Sequence, residues 1–302
     1  GLEILRAGGN AFDAAVAVAA VLNVVEPAMS GLGGYGTILV YDANAQRVQF
    51  LNSSGRIPVG VQSDFFRAPA PNYLQNRVSA KAVSTPGNLH AWEALSKKHG
   101  RLKWPQLFAP AIRLAKQGFV LGTGGASTIQ AAFSDFPDHA KRIFGNDGKP
   151  LAAGERLVQL DLAASLQLVA KRGASVLYGG ELGWAVDKAM RQAEGFLSIA
   201  DLKKDHAEWW DPIKIDYGGY EVYTASPPAN AFDYLVRLGM MSRFDPKALG
   251  HNSVAYLHRF AEVTKHGFWV RLRYAGDPGV VQPPLGRLLS EEYWTEEAAH
   301  ID

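Results

Sequence analysis

Residues 5–19 read LRAGGNAFDAAVAVA and residues 30–36 read SGLGGYG, and these two stretches decide the fold. In the first, Asn10 with Asp13 three residues later predicts a helix N-terminus, because the asparagine side chain can cap the backbone and an aspartate favours the first turn. The apolar residues that follow predict a buried helix to Val25, which Pro27 ends. The second stretch predicts a glycine-rich turn from this helix into a strand.

The remaining sequence predicts a mixed α+β architecture. A hairpin is predicted over residues 37–52 and a second one around Gly218-Gly219. Strand pairs near both ends, with helices between them, argue against a strictly alternating βαβ fold. No repeat or linker interrupts this order, so we expect a single domain over residues 1–302. Helical spacing of apolar residues predicts helices over residues 89–99, 106–117, 157–172, 184–192, 199–204, 232–241 and 254–273.

Composition and charge exclude several classes of protein. The 302 residues include 31 Lys and Arg against 29 Asp and Glu, so the net charge is +2, and scattered charges of this kind indicate no nucleic-acid partner. The absence of cysteine excludes disulfides, thiolate nucleophiles and cysteine-bound zinc. The longest apolar run, residues 14–25, is shorter than the ~20 residues of a bilayer span, so we predict no membrane span.

Two motifs that bind cofactors or metals in other proteins do not fit such sites here. Residues 31–36 match G-x-G-x-x-G, but a dinucleotide site needs a strand before the glycines and a helix after them, and here that order is reversed. The glycines either let backbone segments cross closely or expose amides near a substrate, or they form a tight turn from helix to strand. His251, His258 and His266 are seven and eight residues apart, whereas helical metal ligands are usually four apart with a carboxylate nearby. We therefore predict no cofactor and no metal site.

Several segments in order give the chain its resemblance to a known family. With residues 5–19 and 30–36 they are VVEP (24–27), STPG (84–87), GRLKW (100–104), LYGG (177–180), GGYEV (218–222) and GDP (276–278). In this order they resemble the large chain of the gamma-glutamyltranspeptidase family of N-terminal nucleophile hydrolases. The resemblance covers essentially the whole chain, and the first fifty residues are its most specific part.

The resemblance implies a protein of two chains cut from one precursor. In this family the new N-terminal threonine of the small chain is the nucleophile: its hydroxyl attacks an amide, its own α-amine is the base, and the acyl group passes to water or to an amine. We expect that threonine beyond Asp302, on the partner small chain, so that no catalytic residue lies in this chain. The implied fold is a four-layer αββα sandwich that the small chain completes.

The resemblance also indicates where substrate binds. Large chains that process glutathione carry an Arg-Glu-x-Ala-Pro stretch, whose guanidinium suits the α-carboxylate of a glutamyl group. Here residues 52–58 read NSSGRIP, and alignment on Pro58 puts Ser54 at the arginine position. Arg56 could take this role through a local shift at Gly55, the alternative being a solvated or structural arginine. Both Ser54 and Arg56 are therefore candidate substrate-binding residues. Residues 227–232, PPANAF, also depart from the family's Pro-Pro-Ser-Ser-Gly-Gly segment.

Three functions stay open at this point. The resemblance favours a gamma-glutamyltransferase or glutathione hydrolase acting on a small-molecule amide. The serine at position 54 favours an alternative, an acylase acting on cephalosporin side chains or another small acyl amide. A third reading is an inactive homologue retained as a binding or scaffold protein. The residues indicate no cell compartment, and the resemblance alone suggests a periplasmic or secreted protein.

Overall fold

The computed structural model describes residues 1–67, 73–76 and 79–302, and it is mixed α+β. The helices are α1 (Leu2–Arg6), α2 (Ala11–Val25), α3 (Asn88–His99), α4 (Trp104–Gln117), α5 (Thr123–Ala132), α6 (Asp138–Phe144), α7 (Leu160–Arg172), α8 (Glu181–Gln192), α9 (Ile199–Lys204), α10 (Phe232–Met241), α11 (Pro246–Leu249), α12 (Val254–Tyr274), α13 (Leu285–Leu288) and α14 (Glu291–Ala298). The strands are β1 (Gly36–Asp42), β2 (Arg47–Ser53), β3 (Phe119–Val120), β4 (Gly145–Asn146), β5 (Lys149–Pro150), β6 (Arg156–Leu157), β7 (Glu208–Trp210), β8 (Ile213–Tyr217) and β9 (Tyr220–Thr224).

The described chain divides into two compact units. The first unit contains Gly1–Gly36 and Gly55–Ala207, and the second contains Thr37–Ser54 and Glu208–Asp302. The expectation of a single domain over residues 1–302 stays a prediction.

Helices α2, α4 and α7 form the centre of the first unit, where α4 packs against both of the others. The predicted start of α2 is confirmed: the Asn10 side chain accepts hydrogen bonds from the backbone N–H groups of Phe12 and Asp13, and Asp13 accepts one from the Asn10 N–H. The Trp104 indole donates to the Val169 carbonyl at 2.8 Å, which ties α4 to α7. Buried residues of the three helices include Val16, Ala20, Val24, Leu107, Phe108, Ala111, Leu166 and Val169.

Helix α2 buries only one side within the described chain. Val16, Ala20 and Val24 are buried, whereas Val18 and Leu22 are exposed. Complete burial, as its apolar composition predicts, therefore does not occur in this chain alone. Among the residues that the structure describes, no helix combines the length and the apolar character that a membrane span requires.

One predicted helix begins later than its sequence pattern suggests. The prediction started it at residue 157, but α7 begins at Leu160, and Leu157 instead pairs with Phe119 between β6 and β3. The Gln159 side chain donates to the Val24 carbonyl at 2.7 Å, and its backbone N–H donates to the Ala115 carbonyl at 2.9 Å. These long-range bonds hold the chain extended before the helix, which local spacing could not indicate.

The second unit combines a three-stranded sheet, a hairpin and a helical cluster. Both predicted hairpins are confirmed, and β7 extends the first of them by pairing antiparallel with β2, with Phe50 opposite Trp210. Helix α10 packs against α12, α14 and β8. At the α10–α14 contact the two helices approach so closely that a Cβ on Gly239 would lie 2.1 Å from the Trp294 ring. The core around this contact contains Ile215, Phe232, Leu235, Val236, Met240, Val263, Val270, Leu288, Tyr293 and Trp294.

Candidate functional site

The glycine-rich segment 30–36 and the STPG segment 84–87 are joined by backbone hydrogen bonds. The N–H groups of Gly87 and Asn88 both donate to the Gly34 carbonyl at 3.0 Å, and the Asn88 side chain donates to the Gly31 carbonyl at 3.3 Å. A Cβ on Gly34 would lie 2.5 Å from the Asn88 side-chain nitrogen, so this close approach requires glycine. The first turn of α3 is thereby fixed against the segment that precedes β1.

The segment that contains Arg56 is attached to the same place. The N–H of Thr85, which is buried, donates to the Arg56 carbonyl at 2.9 Å. Gly55 lies directly against Tyr35 and Ser84, because a Cβ at Gly55 would be 2.6 Å from the Tyr35 ring and 2.8 Å from the Ser84 hydroxyl. Three sequence motifs that are distant along the chain therefore meet around the backbone of residues 55–56.

A further contact fixes the chain just beyond Pro58. The N–H of Val59 donates to an Asp201 carboxylate oxygen at 3.0 Å. Burial alone would raise the pKa of Asp201, but hydrogen bonds from Ser198 and Val59 outweigh it, so the pKa of this carboxyl lies below its ordinary value. Asp201 is consequently ionised at neutral pH and accepts these bonds as a carboxylate.

The Arg56 side chain is 42% exposed and points one guanidinium nitrogen at a buried carboxylate. Its Nη1 lies 3.8 Å from Oδ1 of Asp205, whose side chain is only 3% exposed, and 3.3 Å from Nδ1 of His206. One guanidinium nitrogen therefore faces the protein, while the Arg56 side chain as a whole is partly exposed.

The second oxygen of Asp205 holds a histidine. Nδ1 of His90, on the first turn of α3, lies 2.9 Å from Asp205 Oδ2. The His90 ring stacks on Tyr178 at a centroid distance of 3.3 Å, and the Tyr178 hydroxyl accepts a hydrogen bond from the His90 backbone N–H at 3.4 Å. Burial first and the Asp205 charge second raise the pKa of Tyr178 above its ordinary value, so its hydroxyl stays protonated.

Ser54, the other predicted substrate-binding residue, belongs to the second unit, whereas Arg56 belongs to the first. Ser54 is half-buried, and its N–H donates to the side-chain oxygen of the buried Asn52 at 3.1 Å. Sequence reasoning missed Asp205 and His90, which are 115 residues apart. Neither forms a recognisable motif with the other, so no local signal could have paired them.

In the part of the chain that the structure describes, no group of three or more histidines, aspartates and glutamates is arranged to hold a metal ion. The glycine segment 31–36 lies between α2 and β1, in the order opposite to that of a dinucleotide-binding turn. His266 on α12 forms a hydrogen bond with Tyr293 on α14: its Nε2 lies 2.8 Å from the Tyr293 hydroxyl, which is a structural contact.

Comparison with known proteins identifies the family. The family model described as Gamma-glutamyltranspeptidase matches residues 1–302. The chain belongs to the gamma-glutamyltranspeptidase family. It is 34% identical over 303 residues to the glutathione hydrolase-like YwrD proenzyme of Bacillus subtilis, and this match covers 100% of the chain and 57% of that protein. It is 35% identical over 314 residues to the Acylase ACY 1 proenzyme of a Pseudomonas species (strain SE83), with 100% of the chain and 56% of that protein covered.

A solved structure of a family member has a fold similar to that of this chain. The crystal structure of Helicobacter pylori gamma-glutamyltranspeptidase superimposes with a TM-score of 0.94 at 29% identity, covering 100% of this chain and 88% of that one. The predicted fold class, an α+β N-terminal nucleophile hydrolase fold, is thus confirmed. The chain spans a little over half the length of the curated relatives that it matches.

Proposed function

We propose that this chain is the large chain of a gamma-glutamyltransferase or glutathione hydrolase-like enzyme that hydrolyses small-molecule amides or transfers their acyl group. The family match over residues 1–302 is the observation that carries the proposal. The nucleophilic threonine is on a small chain from the same precursor, released by autocatalytic cleavage, and it acts with its own α-amine as base. Proenzyme relatives that are nearly twice as long as this chain support such a partner.

Arg56 is the group we assign to the α-carboxylate of the glutamyl donor. A guanidinium can donate two parallel hydrogen bonds to a carboxylate, and Arg56 is sufficiently exposed to do so. Its backbone is fixed at the meeting point of segments 30–36 and 84–87, which are among those that resemble the family. A fixed backbone with a charged, partly exposed side chain is what an orienting residue requires.

The test compares two donors that differ only in the carboxylate. Gamma-glutamyl para-nitroanilide carries the α-carboxylate, and gamma-aminobutyryl para-nitroanilide lacks it. We define carboxylate selectivity as the ratio of kcat/KM for these two donors, measured with the full two-chain protein. Arg56→Ala should lower this selectivity about tenfold or more, because a charge-assisted bidentate contact is lost. Arg113→Ala, which removes an exposed arginine paired with Glu3, is the matched control.

The outcome also decides whether the protein is an enzyme. Two bands on a denaturing gel, with a threonine at the N-terminus of the second chain by mass spectrometry, are expected. An intact precursor without turnover of either donor would favour the inactive binding or scaffold homologue. Unchanged selectivity in Arg56→Ala, with activity retained, would remove Arg56 from the assignment.

The acylase alternative rests on Ser54. This serine stands where glutathione-processing large chains carry arginine in an alignment on Pro58, and the Pseudomonas relative named Acylase ACY 1 is 35% identical to the chain. If Ser54 occupies the position of the carboxylate anchor, Ser54→Arg should increase kcat/KM for the gamma-glutamyl donor and decrease it for a cephalosporin with a small acyl side chain. No gain for the glutamyl donor would count against that alignment.

A further inference from the structure

Asp205 is a buried carboxylate whose two oxygens face different cationic or proton-donating groups. Its side chain is 3% exposed; Oδ2 lies 2.9 Å from His90 Nδ1, and Oδ1 lies 3.8 Å from Arg56 Nη1. A carboxylate removed from water in this way is strongly destabilised unless hydrogen bonds and an opposite charge compensate it. His90 supplies a hydrogen bond at 2.9 Å, and Arg56 supplies an opposite charge at 3.8 Å.

The position of Asp205 is itself determined by packing. It directly follows α9, whose N-terminus is fixed by a capping box between Ser198 and Asp201. Its partner His90 is fixed by stacking on Tyr178 and by the hydrogen bond from its own backbone to the Tyr178 hydroxyl. The carboxylate therefore has a defined place, whereas Arg56 is a long side chain with many rotamers on a fixed backbone.

A planar guanidinium binds a carboxylate well only when its donating edge is correctly oriented. An exposed arginine must give up rotamer freedom to reach that orientation, and this loss weakens binding. A fixed negative charge beside one end of the guanidinium removes much of that freedom before the ligand arrives.

We propose that Asp205 is a positioning residue for Arg56: held by His90, it orients the guanidinium for the carboxylate of the acyl donor. This inference rests on the proposed function, in which Arg56 binds that carboxylate. It extends the site from one exposed residue to a set that includes the buried Asp205 and the His90 that holds it. Asp205 acts through Arg56 and does not touch the substrate.

The negative charge of Asp205 also has an effect on donor binding that opposes its positioning effect. A carboxylate near Arg56 also cancels part of its positive charge, and if cancellation dominated, removing Asp205 would strengthen the binding of an anionic donor. The two effects are therefore separated by the direction in which carboxylate selectivity changes.

The experiment uses Asp205→Asn in the full two-chain protein, because asparagine keeps the shape and an oxygen for His90 but removes the charge. We expect carboxylate selectivity to fall about tenfold, mainly through KM of the gamma-glutamyl donor, with kcat and the donor without carboxylate little changed. Asp233→Asn is the matched control, since Asp233 is also buried, pairs with Arg237 and belongs to α10 of the second unit. Its selectivity should equal that of the unsubstituted protein.

A double-mutant cycle distinguishes positioning from a structural role. In the Arg56→Ala background, Asp205→Asn should produce no further loss of selectivity, because the residue it orients is already absent. If Asp205→Asn prevents assembly, His90→Gln provides the second test: it removes the imidazole that holds Asp205 and leaves Arg56 intact, so selectivity should fall in the presence of Arg56 and show no further loss in the Arg56→Ala background.

Unchanged or increased selectivity in Asp205→Asn, or an equal loss in both backgrounds, would overturn the positioning role and leave the assignment of Arg56 intact. An Arg56→Ala protein with full selectivity would instead remove the assignment of Arg56, and the positioning role with it. The two failures are thus distinguished by which single substitution, Asp205→Asn or Arg56→Ala, leaves carboxylate selectivity unchanged.

Discussion

At the scale of single residues, close packing explains why glycine stands at two positions near Arg56. Gly55 has no side chain because the Tyr35 ring and the Ser84 hydroxyl occupy the space where a Cβ would be. Gly34 meets the Asn88 side chain in the same way. These glycines allow three backbone segments to approach one another beside Arg56.

Gly55→Ala should disturb this approach. Because the new Cβ would lie 2.6 Å from the Tyr35 ring, the strain should lower the free energy of unfolding by about 1–3 kcal/mol. Carboxylate selectivity should fall as well, since Arg56 follows directly. Adding Tyr35→Ala should recover part of both losses. Gly124→Ala in α5 meets no atom within 4 Å and should be neutral or stabilising, as measured by chemical denaturation.

His266 should make stability depend on pH. Burial lowers its pKa below the ordinary 6.5, an effect that the Glu297 charge only partly offsets, and burial raises the pKa of its partner Tyr293 to about 12. The unfolded chain therefore binds the proton more readily, so the contribution of neutral His266 is present above about pH 6.5 and is lost as the pH falls toward its lowered pKa.

The measurement for His266 is the thermal midpoint of the assembled protein between pH 8 and pH 5. His266→Gln should flatten the decrease at acid pH, whereas His258→Gln, an exposed histidine on the same helix, should leave it unchanged. A decrease of the same steepness in His266→Gln would show that other groups cause it.

At the scale of elements, the start of α2 is tied to a loop far along the chain. Asp13 is completely buried, and its carboxylate accepts hydrogen bonds from the backbone N–H groups of Asn10, Arg101 and Leu102. One side chain thus serves as the capping partner of α2 and as the anchor of the segment between α3 and α4.

Asp13→Ala should remove both functions at once. Three backbone donors would lose a charged acceptor in a buried place, so the free energy of unfolding should fall by about 2–4 kcal/mol. Asp161→Ala in the first turn of α7, an exposed position, should cost less than about 1 kcal/mol. Equal losses in the two variants, measured by denaturant titration, would contradict the double role of Asp13.

At the scale of the whole molecule, both units expose apolar surface. In the first unit it includes Val18 and Leu22 on α2. In the second unit, Leu257, Phe268 and Leu272 are exposed at spacings that put them on one side of α12, and Leu39 and Tyr41 are exposed on β1. Large apolar faces of this kind favour association.

We expect residues 1–302 expressed alone to self-associate, and the full coding sequence to yield a soluble two-chain protein. Size-exclusion chromatography would measure both. Leu257→Lys together with Leu272→Lys should reduce self-association of the isolated chain, and Lys265→Ala on the same helix should not. A monodisperse monomer of residues 1–302 would contradict the two-chain proposal.

Elements that depend on neighbouring residues could be predicted before the fold was known. Asn10 and Asp13 marked the start of α2 and Gly218-Gly219 marked the second hairpin, because capping and turns are local properties. The ordered motifs indicated the family by their resemblance to it. Three features required the folded chain: the pairing of β7 with β2, the later start of α7 after Gln159, and the meeting of Asp205 with His90 and Arg56. Each of these depends on contacts between residues that are far apart in the chain, and such contacts form only when the packed core brings those segments together.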